Sequence, residues 1–326
     1  MSMIAHIMTP HRGHFYKDIN ACYNKYMDKD LNIISNKKIL IIYHAHCLDG
    51  FVGAWIARRV YGEKAEYRAM KRGEAFPDTE YFKNREVYVI DFSFTRDEIK
   101  IIESVANRLV IIDHHISSRE EVESAKEHLF MLEHSGAYLA WIYFFKDKEV
   151  PLFIQYVSEG DIFKITLPDF KDLMPVVYAH TLTWEHIDNL YNMFETEEGR
   201  EKLKEQSKIV SMYKDKILAA SLDSVHWVVL DGVTMPAVNT CLPIDERSDL
   251  LHTIYTLYPP VALSYRWDEG QWKCSLRSNC DFDCTIIATK YGGGGHRGSA
   301  GFAVAGDMPL PFAIAKIKDN SIDNNR

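Results

Sequence analysis

The sequence predicts an α/β protein: a parallel-sheet N-terminal domain and a smaller mixed α/β C-terminal domain, joined by a helical connector. Three short apolar runs that end in histidine or aspartate carry this reading. Leu109 to Ile112, within RLVIIDHH, is rich in β-branched residues, as a strand buried on both faces of a parallel sheet requires, and Asp113, His114 and His115 follow at once. Lys37 to His46, KKILIIYHAH, repeats the plan and continues into Cys47, Leu48, Asp49 and Gly50. Glu86 to Asp91, EVYVID, ends its run in a carboxylate. The segments between them are long enough to cross over as helices, so the run ends gather at the carboxyl edge of one sheet, where open α/β sheets bind ligands.

Taken in order, residues 1–36 form an extension that mixes polar residues with Phe15, Tyr16, Tyr23 and Tyr26 and closes at Ser35-Asn36. The first domain spans 37–182. After its first strand, Phe51 to Val60 has helical spacing, with Gly53 and Ala54 small enough to pack close to a sheet. Thr95 and Glu98 form a capping box for a helix through about Val105, and the DHH strand follows. Ser135 opens a buried helix to Phe145, and Pro151 opens another that runs toward Val157 and ends at Gly160-Asp161. Residues 183–222 turn polar and helical, with charges scattered as on a solvated face, and are read as the connector.

The second domain, 223–318, holds strand-like runs at His226 to Leu230, Val261 to Trp267 and Gln271 to Arg277, the last two joined as a hairpin through Asp268-Glu269-Gly270. Cys284 to Tyr291 has helical spacing and stops at Gly292, and FAVAG further on is strand-like. A final helix is expected near Pro311 to Lys318, and residues 319–326 form a polar tail expected to be disordered.

With 326 residues and 47% hydrophobic content, the chain can fill two ordinary cores. No apolar run reaches membrane-spanning length and the start lacks a secretion signal's apolar core, so a cytoplasmic protein without a membrane partner is expected. The six cysteines are too sparse for a disulfide scaffold; Cys280 and Cys284 are spaced like half a zinc site, but no second pair follows. A net charge of −8 argues against coating long nucleic acid, so no long duplex DNA is expected as a partner, while a short anionic substrate in a local positive pocket is compatible.

His44, His46, Asp49, Asp91, His114 and Asp161 together make a mixed nitrogen and oxygen donor set, which suits manganese, iron, cobalt or zinc better than magnesium or calcium. A carboxylate bridging two such ions would place a hydroxide nucleophile and polarise a phosphoryl oxygen from both sides, the chemistry of phosphoester hydrolysis. GGGGHRGSAGF, from Gly292 to Phe302, supplies backbone N–H groups at Gly293, Gly294 and Gly295 for close approach to an anion, with His296 and Arg297 adding positive charge. Arg277 and Asn279 offer a guanidinium fork and an amide for a phosphate or base.

These motifs resemble, in order, those of the DHH phosphoesterases with a GGGH-type C-terminal domain, the oligoribonuclease and RecJ-like branch. YHAHCLDGF looks like the first motif, VID ending at Asp91 the second, DHH at Asp113 to His115 the third, Asp161 in SEGDIF the fourth, and SLRSN with GGGGHRGSAGF the C-terminal signature. The resemblance covers roughly residues 38 to 305. It implies a two-metal enzyme, most readily with manganese, in which His44 and His46 bind the first ion and Asp91 bridges. Asp49, His114 and Asp161 would complete the second site, Asp113 would orient His114, and His115 would face the substrate phosphate. His46 departs from the family pattern, which more often has Asp or Asn there. The implied substrate is a short oligonucleotide or a linear or cyclic dinucleotide, hydrolysed to mononucleotides, and homodimerisation is left open. A nucleotide phosphomonoesterase of the 3′-phosphoadenosine 5′-phosphate type and a non-catalytic nucleotide-binding homologue are the alternatives.

Overall fold

The computed structural model describes residues 36–71, 74–268, 270–279 and 281–315. The N-terminal extension up to Ser35, Glu269, Cys280 and the 319–326 tail lie outside the described residues. Two compact units divide between Lys204 and Glu205.

The first unit begins with β1 (Ile39–His44), α1 (Leu48–Tyr61), β2 (Ala65–Met70) and β3 (Glu86–Ile90). It continues through α2 (Arg96–Val105), β4 (Arg108–Asp113), the single turn α3 (Arg119–Val122) and β5 (Glu127–Phe130). All neighbouring strands are parallel, in the order β2-β1-β3-β4-β5. The chain leaves β1 for β2 on one side and returns to β3 on the other, so the order reverses between β1 and β3, where such sheets open a crevice at their carboxyl ends.

The apolar runs fill the sheet's centre: Leu40 to Ile42, Val87 to Ile90 and Val110 to Ile112 are at most 2% exposed. Gly53 lets α1 lie on β3, because a Cβ there would sit 2.5 Å from Ile90 Cγ2. The Thr95 and Glu98 capping box opens α2 as expected. Helices α4 (Gly136–Phe144) and α5 (Leu152–Asp161) follow, then α6 (Phe170–Ala179) and α7 (Trp184–Phe194). The long polar helix α8 (Glu197–Leu222) contains the division between units, which thus falls inside the 183–222 stretch.

The second unit holds β6 (His226–Leu230), β7 (Val233–Asn239), α9 (Ile244–Leu257), β8 (Val261–Asp268) and β9 (Gln271–Ser278). It ends with α10 (Cys284–Lys290), β10 (Gly294–His296), β11 (Ser299–Ala305) and β12 (Phe312–Ile314). Its sheet runs β10-β11-β9-β8-β7-β6-β12, antiparallel except for the β7–β8 pair. One face packs on α10 through Leu263, Cys274, Leu276, Ala300 and Phe302; α9 closes a second cluster through Leu250, Leu251, Ile254 and Ala262.

One expectation fails here. The residues after Pro311 form β12, an edge strand antiparallel to β6, and not a helix. Within the glycine run, Gly294 to His296 form an edge strand paired with Gly301 to Ser299. A Cβ on Gly293 would stand 2.1 Å from Gly301 O and one on Gly295 2.4 Å from Ser299 O, so both glycines are required for the hairpin to close.

Candidate metal centre

Register builds the site. Tyr43 pairs with Ile90 and Ile90 with Ile112, so the next residues of the three strands, His44, Asp91 and Asp113, stand in a row at the carboxyl edge. Asp91 turns off β3 with φ of 58°, a left-handed conformation that aspartate tolerates better than most residues, while its N–H still donates to Ile112 O at 2.9 Å. The turn swings its carboxylate across the strand ends. Asp91 Oδ2 lies 3.5 Å from His44 Nδ1, and Oδ1 lies 3.4 Å from His114 Nε2 and 3.6 Å from His115 Nδ1. His114 Nε2 is also 3.2 Å from Asp161 Oδ2, supplied by the last residue of α5.

Asp49 comes from the first turn of α1, which Gly50 brings against β1; a Cβ there would meet His44 O at 2.5 Å. Asp49 Oδ1 accepts the N–H of Ala137 at 3.0 Å, at the start of α4, where the helix dipole favours a carboxylate. Gly136 is the contact point of that helix, since a Cβ on it would lie 2.6 Å from Asp91 Cβ and 2.9 Å from Asp49 Oδ2.

Among the described residues, three sets of donors each lie within 4.8 Å of one another: His44 with Cys47 and Asp91; Asp49 with His114 and Asp161; and Asp91 with Asp113, His114 and His115. Burial is deep: Asp49 and Asp91 are 1% exposed and Asp113 0%. Both Asp91 oxygens, Asp49 Oδ2, His44 Nδ1 and His114 Nε2 nonetheless have no hydrogen-bond partner. The His44 and His114 nitrogens lie at ion-pair distance from Asp91 without a hydrogen bond, and a buried polar atom without one costs on the order of 1–3 kcal/mol. Divalent cations fit this donor set and would satisfy these atoms together.

The electrostatics agree. Burial, then the neighbouring Asp91 and Asp161 charges, push Asp49 well above the ordinary carboxylate range. Burial, with Asp91 next, raises Asp161. Burial opposes ionisation of Asp91 too, but the adjacent His114, His44 and His115 outweigh it and bring its carboxyl down to about 2. Burial would lower His114; Asp91, Asp49 and Asp161 overcome it and raise the imidazole to about 9. The cluster is thus short of positive charge, which is what a cation supplies.

Two sequence expectations need correction. His46 does not join the donors: it is exposed, with a left-handed φ of 57°, and the residue grouped with His44 and Asp91 is the half-buried Cys47. Asp113 orients His115 and not the ring of His114. Its Oδ1 accepts the backbone N–H of His114 at 2.8 Å and of His115 at 3.3 Å, and lies 2.7 Å from His115 Nδ1.

Against known proteins, no family model matches the chain. An uncharacterized protein of Acanthamoeba polyphaga mimivirus is 28% identical over 309 residues, covering 87% of this chain and 72% of the relative. Among solved structures, the DHH domain of a protein described as belonging to a family of ribosomal proteins aligns at 15% identity and a TM-score of 0.49, covering 89% of this chain and 94% of that one. A pGpG-specific phosphodiesterase from Vibrio cholerae aligns at 15% identity and 0.46, covering 82% and 94%. At these values the likenesses assign neither family nor activity.

In the second unit, Arg277 is half-buried and donates to Ser248 Oγ at 3.1 Å and to Leu276 O at 3.0 Å. Asn279 is taken up by a local turn with Asp281, at 2.8 and 3.1 Å. His296 and Arg297 are exposed, with Arg297 3.8 Å from Asp283. A cavity of about 290 Å³ opens on the sheet beside them in sequence, lined by Arg247, Ser264, Arg266, Lys273, Ser275 and Gly301. Burial, then the nearby Arg266 and Arg277 charges, lower Arg247, so positive charge is crowded there beyond what Asp268 offsets. Sequence reasoning missed this cluster. Its signal is period-two spacing, Ser264 with Arg266 and Lys273 with Ser275 and Arg277, which puts all five on one face.

Proposed function

We propose that this chain is a DHH-type, metal-dependent phosphodiesterase acting on short oligonucleotides or linear or cyclic dinucleotides. The observation that carries it is Asp91: a buried carboxylate whose two oxygens make no hydrogen bond and face different donors, Oδ2 toward His44 and Oδ1 toward His114. Few structural roles call for such a group, and a carboxylate shared between two divalent ions does. His44 and Cys47 would stand on one side of it, and Asp49, His114 and Asp161 on the other. Bound there, the ions would supply Lewis-acid polarisation of a phosphoryl oxygen and an acidified water at neutral pH.

The chain's own residues do the rest. Asp113, holding His115 Nδ1, favours the tautomer with hydrogen at that atom and leaves Nε2 for a substrate oxygen. The N-terminal turn of α4 holds Asp49 in place through Ala137 N–H. In the second unit, the Arg247, Arg266 and Lys273 cavity and Arg277 suit the phosphates of a short substrate.

The test is a panel of linear and cyclic dinucleotides, short RNAs and 3′-phosphoadenosine 5′-phosphate, incubated with manganese and resolved by chromatography. Mononucleotide release from dinucleotides is the expected result. Release of inorganic phosphate from the monoester alone would replace this reading with a phosphomonoesterase, and no turnover of any member would replace it with a binding protein.

A further inference from the structure

We propose that Cys47 is a sulfur ligand of the first metal site, so that this site selects a borderline or soft divalent ion, such as zinc, cobalt or iron(II), over magnesium. The inference rests on the metal-centre reading above and assigns its ligands more closely. Cys47 Sγ, a His44 ring nitrogen and an Asp91 carboxylate oxygen lie within 4.8 Å of one another, close enough for one ion to touch all three. Two of these partners present buried atoms with no hydrogen bond, His44 Nδ1 and both Asp91 oxygens.

The surroundings of the sulfur are wrong for a packing residue. Buried thiols that only fill space sit among apolar neighbours, as Cys274 and Cys284 do within the second unit's core. Cys47 instead is half-buried with its Sγ among the His44 and Asp91 donor atoms. It also occupies the N-cap of α1 in an extended conformation without making a side-chain capping hydrogen bond, which leaves the sulfur for another partner. The competing donor is removed by the backbone, because His46 takes a left-handed turn and leaves its ring exposed.

The donor set on the far side of Asp91, made by Asp49, His114 and Asp161, has no sulfur. The two sites are therefore chemically unlike. Thiolate ligands prefer zinc and its neighbours, whereas carboxylates and imidazole accept manganese, so one ion of each kind is the favoured loading.

Cobalt reads out the ligand directly. Full-length protein, stripped with a chelator and kept reduced, is titrated with Co²⁺ alone while its absorption spectrum is recorded. A near-ultraviolet sulfur-to-cobalt charge-transfer band, together with visible d–d bands, is expected for the wild type. In Cys47→Ser the charge-transfer band should vanish while the d–d bands of the second site remain. Should that variant fold poorly by circular dichroism, Cys47→Asp serves instead: it should lose the same band, keep its cobalt stoichiometry, and lower the zinc-over-magnesium preference by roughly tenfold or more. Cobalt d–d bands without a charge-transfer band in the wild type, or a charge-transfer band that survives both substitutions, overturns sulfur ligation and leaves the metal centre standing. No cobalt binding at all overturns both.

Discussion

At the residue scale, Asp91 concentrates the proposal. Replacing it with alanine removes a carboxylate that reaches both the His44 set and the His114 set, so Asp91→Ala is expected to lose both ions and nearly all turnover. Metal analysis of the purified variant checks this, and two retained ions with normal activity would refute the centre. Gly136 makes a second case, because propensity and packing predict opposite signs. Alanine is favoured over glycine inside a helix by up to about 1 kcal/mol, yet here its Cβ would lie 2.6 Å from Asp91 Cβ and 3.0 Å from Asp91 Cα. Overpacking of this kind costs about 1–3 kcal/mol, so Gly136→Ala should lower the thermal midpoint and weaken metal binding together. A variant more stable than wild type with unchanged metal affinity would show that α4 does not press on the site. The sequence disclosed most of these side chains because each follows an apolar run. One residue was harder to place: in HAHC the second imidazole is the more obvious donor, but His46 takes a left-handed turn and lies exposed, while Cys47 is the residue grouped with His44 and Asp91.

At the element scale, α5 is held at its end by Glu159. Its carboxylate accepts the N–H groups of Thr166 and Leu167 at 2.7 and 2.8 Å and the Thr166 hydroxyl, tying down the loop that follows Asp161. Burial would raise Glu159, but these hydrogen bonds outweigh it and hold its carboxyl below the ordinary range. A depressed carboxyl stabilises the fold above its unfolded pKa and loses that stabilisation as pH falls through the folded one. Glu159→Gln should therefore be less stable than wild type by about 1–3 kcal/mol at neutral pH, with the difference closing in acid below the glutamate range. Denaturant melts at the two pH values decide it, and a difference independent of pH would mean that charge is not involved. The elements hidden from the sequence share physical reasons. β2, AEYRAM, is an edge strand with a half-exposed middle, so it carries no apolar run. β7 contains Pro236, which argues against a strand. The structure accommodates it because β8 pairs only with Ala237 to Asn239, leaving Pro236 bonded toward β6 alone. β12 is three residues long after a proline, too short for its period to separate strand from helix.

At the scale of the whole molecule, charge is unevenly divided. The chain carries a net −8, and the candidate metal centre is itself rich in carboxylates, while Arg247, Arg266, Lys273 and Arg277 crowd positive charge in the second unit. A long polyanion would meet net repulsion from a chain of this charge, whereas a substrate of a few nucleotides needs only the local positive field. Dinucleotides should thus be cleaved faster than long single strands, and the preference should persist at high salt only where buried groups make the contact. On the proposed reading, the basic face of the second unit would bind substrate phosphate and take no part in the chemical step. Arg247→Ala and Arg277→Ala should each remove a charge-assisted hydrogen bond worth about 1.5–3 kcal/mol, which raises KM for a dinucleotide by roughly ten- to a hundredfold. Metal content should not change in either variant. A small chromogenic phosphodiester, with no second nucleotide to be held, should be hydrolysed by both variants as by wild type. If both substrates were impaired equally, the arginines would act on the chemical step, and if neither were, the basic face would have no part in substrate binding.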